Sequence, residues 1–155
     1  MRVVTFGETM LRLEPQGFGR IVQRMPGSLQ STFAGAEANV AVGICRLGGE
    51  GVFVTALPRN LLTDALEREL AGMQVDTGSL VYVDEGRLGI FFTERGANQR
   101  PSQVVYDREG SSISITPPQK YAWDEILEGA DWFHVTGITP AISENAAEAT
   151  RVAVA

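Results

Sequence analysis

Three residues near the start of a predicted buried helix, Gly35, Glu37 and Asn39, have types and spacing that suit a ligand-binding site. The surrounding stretch FAGAEANVAVGICRLG, residues 33–48, is apolar on nearly every side of a helix, so we expect that helix to be buried. Glycine lacks a Cβ and therefore allows the backbone to approach a ligand closely. The same stretch also fits a packed core helix behind a short glycine turn, and the helix pattern alone favours that interpretation.

Other common kinds of catalytic centre are not encoded in this sequence. His134 is the only histidine and Cys45 the only cysteine, so neither a His-based zinc site nor a disulfide framework is predicted. His134 lies in the apolar run WFHV, where we expect a hydrogen-bonded strand residue rather than a base. There is no GxSxG nucleophile elbow and no GxxxxGK phosphate loop, and GFG at 17–19 lacks the third glycine of a dinucleotide-binding turn.

Length and composition indicate one α/β domain or part of one. The chain has 155 residues, of which 44% are apolar and 17 are glycines. Its net charge of −6 offers no basic surface for nucleic acid. No apolar run approaches the roughly 20 residues that span a membrane. The start MRVVTFGETM is typical of a strand rather than of a signal peptide. With a single cysteine, these features predict a cytoplasmic, reducing location.

Part of the chain has the alternating strand and helix pattern of an α/β protein. We predict strands at 2–6, 51–56 and 132–135 and helices at about 36–47, 61–73, 123–130 and 144–155. Ser143 is the expected N-cap of the last helix, and Glu144 suits its first turn. Strands that alternate with helices in this way predict a parallel, doubly wound sheet.

The remaining apolar segments have strand patterns without intervening helices. They lie between glycine-rich turns at 10–13, 21–24, 80–83, 88–94 and 102–107. We predict that these segments form a small antiparallel sheet inserted into the α/β body. A sheet that emerges at the strand ends of an α/β body is well placed to cover a ligand.

Four segments carry a resemblance to a known family: GETM at 7–10, GAEANVA at 35–41 with RLG at 46–48, YDR at 106–108 and TGITPA at 136–141. In these segments the chain resembles the PfkB, or ribokinase-like, carbohydrate kinases, and among them most the 2-keto-3-deoxygluconate kinases. The resemblance covers nearly the whole chain. It implies a ribokinase-like α/β fold, in which a small antiparallel β lid covers a parallel doubly wound sheet. It also implies phosphoryl transfer from ATP to a hydroxyl of a sugar or sugar acid.

The resemblance implies five substrate-binding residues, which are Gly35, Asn39, Phe91, Tyr106 and Arg108. Tyr106 and Arg108 are two apart on a lid strand and therefore point to the same face. Arg108 suits a sugar acid because a guanidinium binds a carboxylate through two parallel hydrogen bonds. Phe91 matches a family tyrosine and keeps the apolar wall without its hydroxyl. Alternatively, Tyr106 is a lid-packing aromatic and Arg108 a solvated strand arginine.

Two neighbouring residues have roles that the sequence leaves open. Glu8, directly after the first strand, could accept hydrogen bonds from substrate hydroxyls or could order the turn into the lid, and the second role is favoured. Thr139 precedes Pro140, which predicts an extended or turn conformation for Thr139. Such a conformation suits a loop that lines a pocket, and equally any connection from a strand to a helix.

The resemblance also implies parts that residues 1–155 do not supply. The family's GAGD-type motif, which carries the anion-hole glycines and the catalytic Asp, does not occur in this sequence. We therefore expect the N-terminal portion of a PfkB-type domain, with lid strands at about 10–33 and 80–107 inserted in the α/β body and no kinase activity of its own. ATP and Mg²⁺ are expected in the full-length enzyme, and no catalytic or metal-binding residue is assigned here. We also expect association into a homo-oligomer, with the lid strands as one candidate interface.

Two alternatives to a sugar-acid kinase remain at this stage. One is a ribokinase-like kinase for a neutral sugar or a nucleoside, which would have little use for Arg108. The other, from a different class, is a non-catalytic sugar-binding remnant. Binding of carboxylated and neutral sugars distinguishes the first alternative, and the reading frame beyond Ala155 distinguishes the second.

Overall fold

The computed structural model describes residues 1–155, which form a parallel sheet with helices on both faces and a second sheet beside it. The strands are, in chain order, β1 (Arg2–Phe6), β2 (Met10–Glu14), β3 (Gln30–Ala34), β4 (Glu50–Val54), β5 (Ala56–Pro58), β6 (Val81–Val83), β7 (Gly89–Glu94), β8 (Gln103–Asp107) and β9 (Trp132–His134). The helices are α1 (Ile21–Arg24), α2 (Ala36–Arg46), α3 (Leu61–Gly72), α4 (Ser112–Ile115), α5 (Trp123–Ile126), α6 (Ile138–Ile142) and α7 (Glu144–Val154), and a 3₁₀ turn spans Pro118–Lys120.

The body sheet has the order β4-β1-β9, and all three strands are parallel. Its central strand β1 is buried on both faces, with Val4 and Phe6 alternating with Val3 and Thr5. A strand covered on both faces has no solvent side, which explains why its sequence shows no alternation of polar residues. The predicted parallel, doubly wound sheet is confirmed.

Two separate cores lie against the body sheet. In one, Phe6 packs edge-on against Tyr121 and Trp123, with ring centroids 5.1 Å apart in both pairs, and α7 closes this side with Ala149 and Ala153. In the other, Phe53 packs against the apolar sides of α2 and α3. Ser143 begins α7 as predicted, because its Oγ accepts a hydrogen bond from the Ala146 N–H. No helix is long and apolar enough to cross a bilayer.

The second sheet, called the lid sheet below, has the order β3-β2-β7-β8. The outer pairs β2/β3 and β7/β8 are antiparallel, whereas the central pair β2/β7 is parallel. The lid sheet is therefore mixed rather than purely antiparallel as predicted. The parallel pair arises because β2 and β7 both leave the body in the same direction, each following a body strand, and neither forms a hairpin with the other.

The segment 80–83 does form a strand, but it lies outside the lid sheet. As β6 it pairs in parallel with β5, with Ala56 opposite Val81 and Pro58 opposite Val83. The Val81 N–H also donates to the Thr55 carbonyl at 2.9 Å, so this strand extends the body. Its placement in an antiparallel lid was wrong because strand pattern does not specify the partner strand.

The segment 21–24 was predicted as a strand and is the short helix α1. No strand pairs with the backbone of this segment, and Val22 is 79% exposed. The Ile21 N–H is instead taken up by the Glu94 carboxylate at 2.7 Å, and the Gln23 side chain accepts from the Arg20 N–H at 3.1 Å. Local side-chain capping satisfies the backbone here, so a strand partner is not needed.

Candidate functional site

A cleft of about 280 Å³ lies between the lid sheet and the N-terminal end of α2. Its walls come from β2, β3, α2, β7, β8 and α6, that is, from both the lid and the body. All five residues predicted to bind substrate line this one cleft, although the chain separates them widely; they are Gly35, Asn39, Phe91, Tyr106 and Arg108.

The lid wall of the cleft is built by strand register. Phe91 on β7 lies directly opposite Tyr106 on β8, so their side chains share one face, and their ring centroids are 5.8 Å apart. Arg108 comes two residues after Tyr106 and so projects from the same face, with its guanidinium carbon 5.6 Å from the Tyr106 ring centroid. An aromatic pair thus flanks the one guanidinium that reaches the cleft.

Gly35 contributes the floor of the cleft by letting two backbone segments approach. Its φ of −163° is extended backbone that any residue can adopt, so the requirement is for space. A Cβ at Gly35 would lie 2.3 Å from the Glu8 carbonyl oxygen and 3.0 Å from the Thr9 Cα. Asn39 lies one turn further along α2, and its exposed side chain lines the cleft.

Replacing Gly35 by alanine is expected to lower the free energy of unfolding by about 3 kcal/mol, since backbone atoms must move to admit the methyl group. Gly43 is a matched control on the same helix, because a Cβ there meets nothing within 4 Å. Gly43→Ala should raise stability by about 0.5–1 kcal/mol, the usual gain over glycine inside a helix. Urea denaturation of both variants measures the difference, and equal effects would contradict the crowding at Gly35.

Glu37 lines the cleft, but its carboxylate is engaged with the body. One oxygen, Oε1, accepts from the Thr136 N–H at 3.0 Å, the Thr136 hydroxyl at 2.6 Å and the Thr139 hydroxyl at 2.8 Å. The residue is 3% exposed. Glu37 therefore ties α2 to the TGITPA segment.

The conformation predicted for Thr139 was wrong. Thr139 lies within α6 rather than in an extended or turn segment, although Pro140 follows it. Pro140 is tolerated because it occupies the first turn of a short helix, where an N–H has no helical partner in any case. In this position the Thr139 hydroxyl donates to Glu37.

Glu8 reaches from the end of β1 to the lid. Its carboxylate forms an ion pair with Arg108, and the two side chains are 4% and 25% exposed. Burial raises the pKa of Glu8 above its ordinary value, although the Ser111 hydroxyl and the Arg108 guanidinium act in the opposite direction. The structure thus gives Glu8 a bridging contact, and it also lines the cleft.

The raised pKa of Glu8 predicts a pH-dependent stability effect. The folded chain holds this proton to higher pH than the unfolded chain, so Glu8 costs stability as pH rises from 4.5 through the folded pKa. Glu8→Gln should therefore gain stability relative to the wild type over that window. Glu14 is the matched control, because hydrogen bonding from Arg95 lowers its pKa. Glu14→Gln should lose stability relative to the wild type at neutral pH, and the loss should fade as pH falls below 4.5. Denaturation curves from acidic to neutral pH test both signs; parallel curves for the two variants would contradict them.

No group of three or more His, Cys, Asp or Glu side chains comes together in a way that could hold a metal ion. His134 lies in β9 beside Thr5 of β1, away from the cleft. Its buried Nε2 has no hydrogen-bond partner in the chain.

The fold and the cleft together describe an α/β domain in which a lid sheet covers a small cleft beside the end of β1. The chain belongs to the pfkB family of carbohydrate kinases, whose family model matches residues 1–154.

Individual relatives agree with this assignment. The chain is 39% identical to a 2-dehydro-3-deoxygalactonokinase of Haloferax volcanii, over 96% of this chain and 45% of the relative. It is 31% identical to a 2-dehydro-3-deoxygluconokinase of Bacillus subtilis, over 90% of this chain and 42% of the relative. The chain therefore spans less than half the length of these relatives.

Solved structures give the same result for the fold. A crystal structure of 2-dehydro-3-deoxygluconokinase from Thermotoga maritima matches with a TM-score of 0.94 and 45% identity, over 99% of this chain and 46% of that one. A putative ribokinase from Escherichia coli matches with a TM-score of 0.86 at 20% identity, over 99% of this chain and 48% of that one. These likenesses confirm the ribokinase-like fold.

Proposed function

We propose that this chain forms the substrate-holding and lid part of an ATP-dependent kinase that phosphorylates a hydroxyl of a sugar acid, specifically 2-keto-3-deoxygluconate. This compound is the 2-dehydro-3-deoxygluconate in the names of the Bacillus and Thermotoga relatives. The observation that carries the proposal is the Arg108 guanidinium in a cleft that also exposes Tyr106, Phe91 and Asn39.

Arg108 is the feature that favours an acid over a neutral sugar. A guanidinium presents planar paired N–H donors that match a carboxylate, whereas isolated hydroxyls match them poorly. The side chain keeps a quarter of its surface exposed while its ion pair with Glu8 holds it in place. An arginine that is anchored on one side and open on the other can bind a carboxylate with little further ordering.

The other four residues supply shape and hydrogen bonds in this proposal. Tyr106 offers a hydroxyl and a ring face, and Phe91 offers an apolar wall without a hydroxyl. Asn39 can donate to or accept from a sugar hydroxyl. Gly35 keeps the floor open by having no side chain. Their joint task is to fix the acceptor hydroxyl, since positioning accounts for much of the catalysis of phosphoryl transfer.

ATP and Mg²⁺ belong to the proposed reaction, but no residue of the cleft is assigned to them. Triphosphate binding calls for several cationic or backbone N–H donors that converge on one point. The cleft offers a single guanidinium whose charge is balanced by Glu8. We therefore propose that these residues hold the sugar acid only, and that the nucleotide and the catalytic base meet it from elsewhere in the full-length enzyme.

We also propose that copies of this chain associate through the outer face of the lid sheet. This face lies opposite the cleft and presents Leu13, Phe92 and Val105, and Val105 is 61% exposed. Light scattering should give the mass of an oligomer for the wild type and a smaller mass for Val105→Glu. A wild-type monomer would contradict this proposal without affecting the one on substrate.

Isothermal titration calorimetry of this chain tests the proposed substrate class. We expect 2-keto-3-deoxygluconate to bind at least about tenfold more tightly than fructose, which has no carboxylate for Arg108. The galactonate epimer is a useful third ligand, because one relative is a galactonate kinase and the carboxylate is common to both acids. Equal or tighter binding of fructose would contradict the sugar-acid proposal and favour a neutral-sugar kinase.

A further inference from the structure

Glu8 occupies a position that is built for contact with Arg108. It follows β1 in the body, whereas Arg108 follows β8 at the edge of the lid sheet. Gly89 lies next to Glu8, and a Cβ there would be 2.9 Å from both Glu8 Oε1 and Met10 Cγ, and 3.4 Å from the Arg108 Cβ, which is an ordinary contact. A side chain at position 89 would therefore displace the Glu8 carboxylate or Met10, so glycine leaves the Glu8 carboxylate where it contacts Arg108.

The two carboxylates of the cleft, those of Glu8 and Glu37, differ in the groups that contact them. Glu37 accepts three hydrogen bonds from Thr136 and Thr139. Glu8 accepts no hydrogen bond from the backbone; its carboxylate contacts the Arg108 guanidinium, and the Ser111 hydroxyl also favours its charged form. Arg108 is therefore the one cation that favours the negative charge of Glu8, and the charged groups that act on Glu8 are Arg108 and Glu37.

A ligand carboxylate at Arg108 would change this balance. It would become a third negative charge beside one guanidinium, in a place where Glu8 is only 6% exposed. Like charges that share a poorly solvated site disfavour simultaneous ionisation. Glu37 forms no ion pair with Arg108, and its Oε1 is already engaged by three donors of Thr136 and Thr139.

We propose that Glu8 is the positioning residue for Arg108 and that it takes up one proton when a ligand carboxylate binds that guanidinium. This inference rests on the proposed sugar-acid function. The proton comes from bulk water and adds to a Glu8 carboxylate oxygen, so the net charge of Glu8, Arg108 and ligand together is zero, as it is for the ion pair alone. On release of the ligand the proton returns to water and the ion pair re-forms.

The proposal gives the cleft a pH dependence that neutral ligands do not share. A neutral sugar leaves the ion pair intact and binds with the same affinity at every pH. Above the pKa of Glu8 in the ligand-free chain, binding of an acid requires Glu8 to take up one proton from water. The affinity of the chain for the acid therefore falls as pH rises. The fall reaches up to about tenfold per pH unit, which is the slope of one linked proton.

Calorimetry of 2-keto-3-deoxygluconate binding in two buffers of different ionisation enthalpy measures the linked proton directly. From about pH 5 to about pH 8 we expect uptake that approaches about one proton per ligand at its maximum. Fructose binding should show no uptake. Acid binding without proton uptake across that range would overturn the inference and leave the sugar-acid function standing. Failure of the acid to bind at all would overturn both.

Variants at Glu8 test whether this residue positions Arg108 or only fills space beside it. Glu8→Gln resembles the protonated side chain and keeps an acceptor for Arg108, so it should bind the acid with a pH-independent affinity that matches the acid-pH value of the wild type. Glu8→Ala removes the acceptor and should weaken acid binding at every pH. Glu14→Gln is the matched control, because Glu14 is another buried glutamate paired with an arginine but lies outside the cleft. It should retain the wild-type proton uptake. Wild-type uptake in Glu8→Gln would overturn the inference.

Discussion

Replacing Arg108 by alanine is expected to weaken binding of 2-keto-3-deoxygluconate by about 100-fold and to leave fructose binding within about threefold of the wild type. Losing one partner of a hydrogen-bonded charge pair in a binding site costs about 2–5 kcal/mol, and each 1.4 kcal/mol is about tenfold in affinity. Fructose has no carboxylate that pairs with Arg108, so its binding should change little. Titration calorimetry with both ligands on both proteins measures the change in selectivity.

Arg87 provides the matched control for this experiment. It binds Asp107, the residue next to Arg108, through two hydrogen bonds of 2.6 and 3.0 Å, and the two side chains are 39% and 54% exposed. Arg87→Ala also removes one guanidinium and its positive charge, but Arg87 does not line the cleft. It should change acid binding by less than about threefold, as exposed ion pairs usually do. An equal loss in both variants would mean that overall charge, rather than the site at Arg108, holds the acid.

Replacing Glu37 by alanine is expected to lower the free energy of unfolding by about 3–5 kcal/mol. The change leaves three donors without their acceptor, namely the buried hydroxyl of Thr139 and the partly buried N–H and hydroxyl of Thr136. Each unsatisfied buried polar group costs about 1–3 kcal/mol. Glu37→Gln keeps one acceptor oxygen and should cost less than half as much. Chemical denaturation followed by tryptophan fluorescence measures both losses.

Glu50 is the control for the loss of a carboxylate as such. It pairs with Arg2 at 3.0 Å, but 58% of its side chain is exposed. Glu50→Ala should therefore cost less than about 1 kcal/mol. If Glu37→Ala costs no more than Glu50→Ala, then the hydrogen bonds of Glu37 do not hold α2 to the segment 136–139.

Much of the fold could be predicted from local pattern. The continuous apolar run of β1, the helix of residues 36–46 and the cap at Ser143 each reflect contacts within a few residues or burial on all sides. The five site residues came from the family resemblance, and the two-residue spacing of Tyr106 and Arg108 added that their side chains share one face. Family resemblance was needed to place these residues in one site, because no local pattern links residue 35 to residue 108.

What the sequence could not show is which distant groups pair. Glu37 is bonded to Thr136 across 99 residues of chain. Glu8 meets Arg108 only because β1 and β8 end at the same place. The strand pattern at 21–24 failed for the same reason, since a strand needs a partner and that segment has none. Pattern reports which side of an element is buried, whereas pairing depends on the assembled fold.

A crystal structure of this chain with bound 2-keto-3-deoxygluconate tests the central claim most directly. We predict that the ligand lies in the cleft between the lid sheet and α2, with its carboxylate oxygens about 3 Å from the Arg108 guanidinium nitrogens. Its hydroxyls should face Asn39 and the backbone at Gly35. A ligand bound in the cleft with its carboxylate turned away from Arg108, or a ligand bound outside the cleft, would contradict the account.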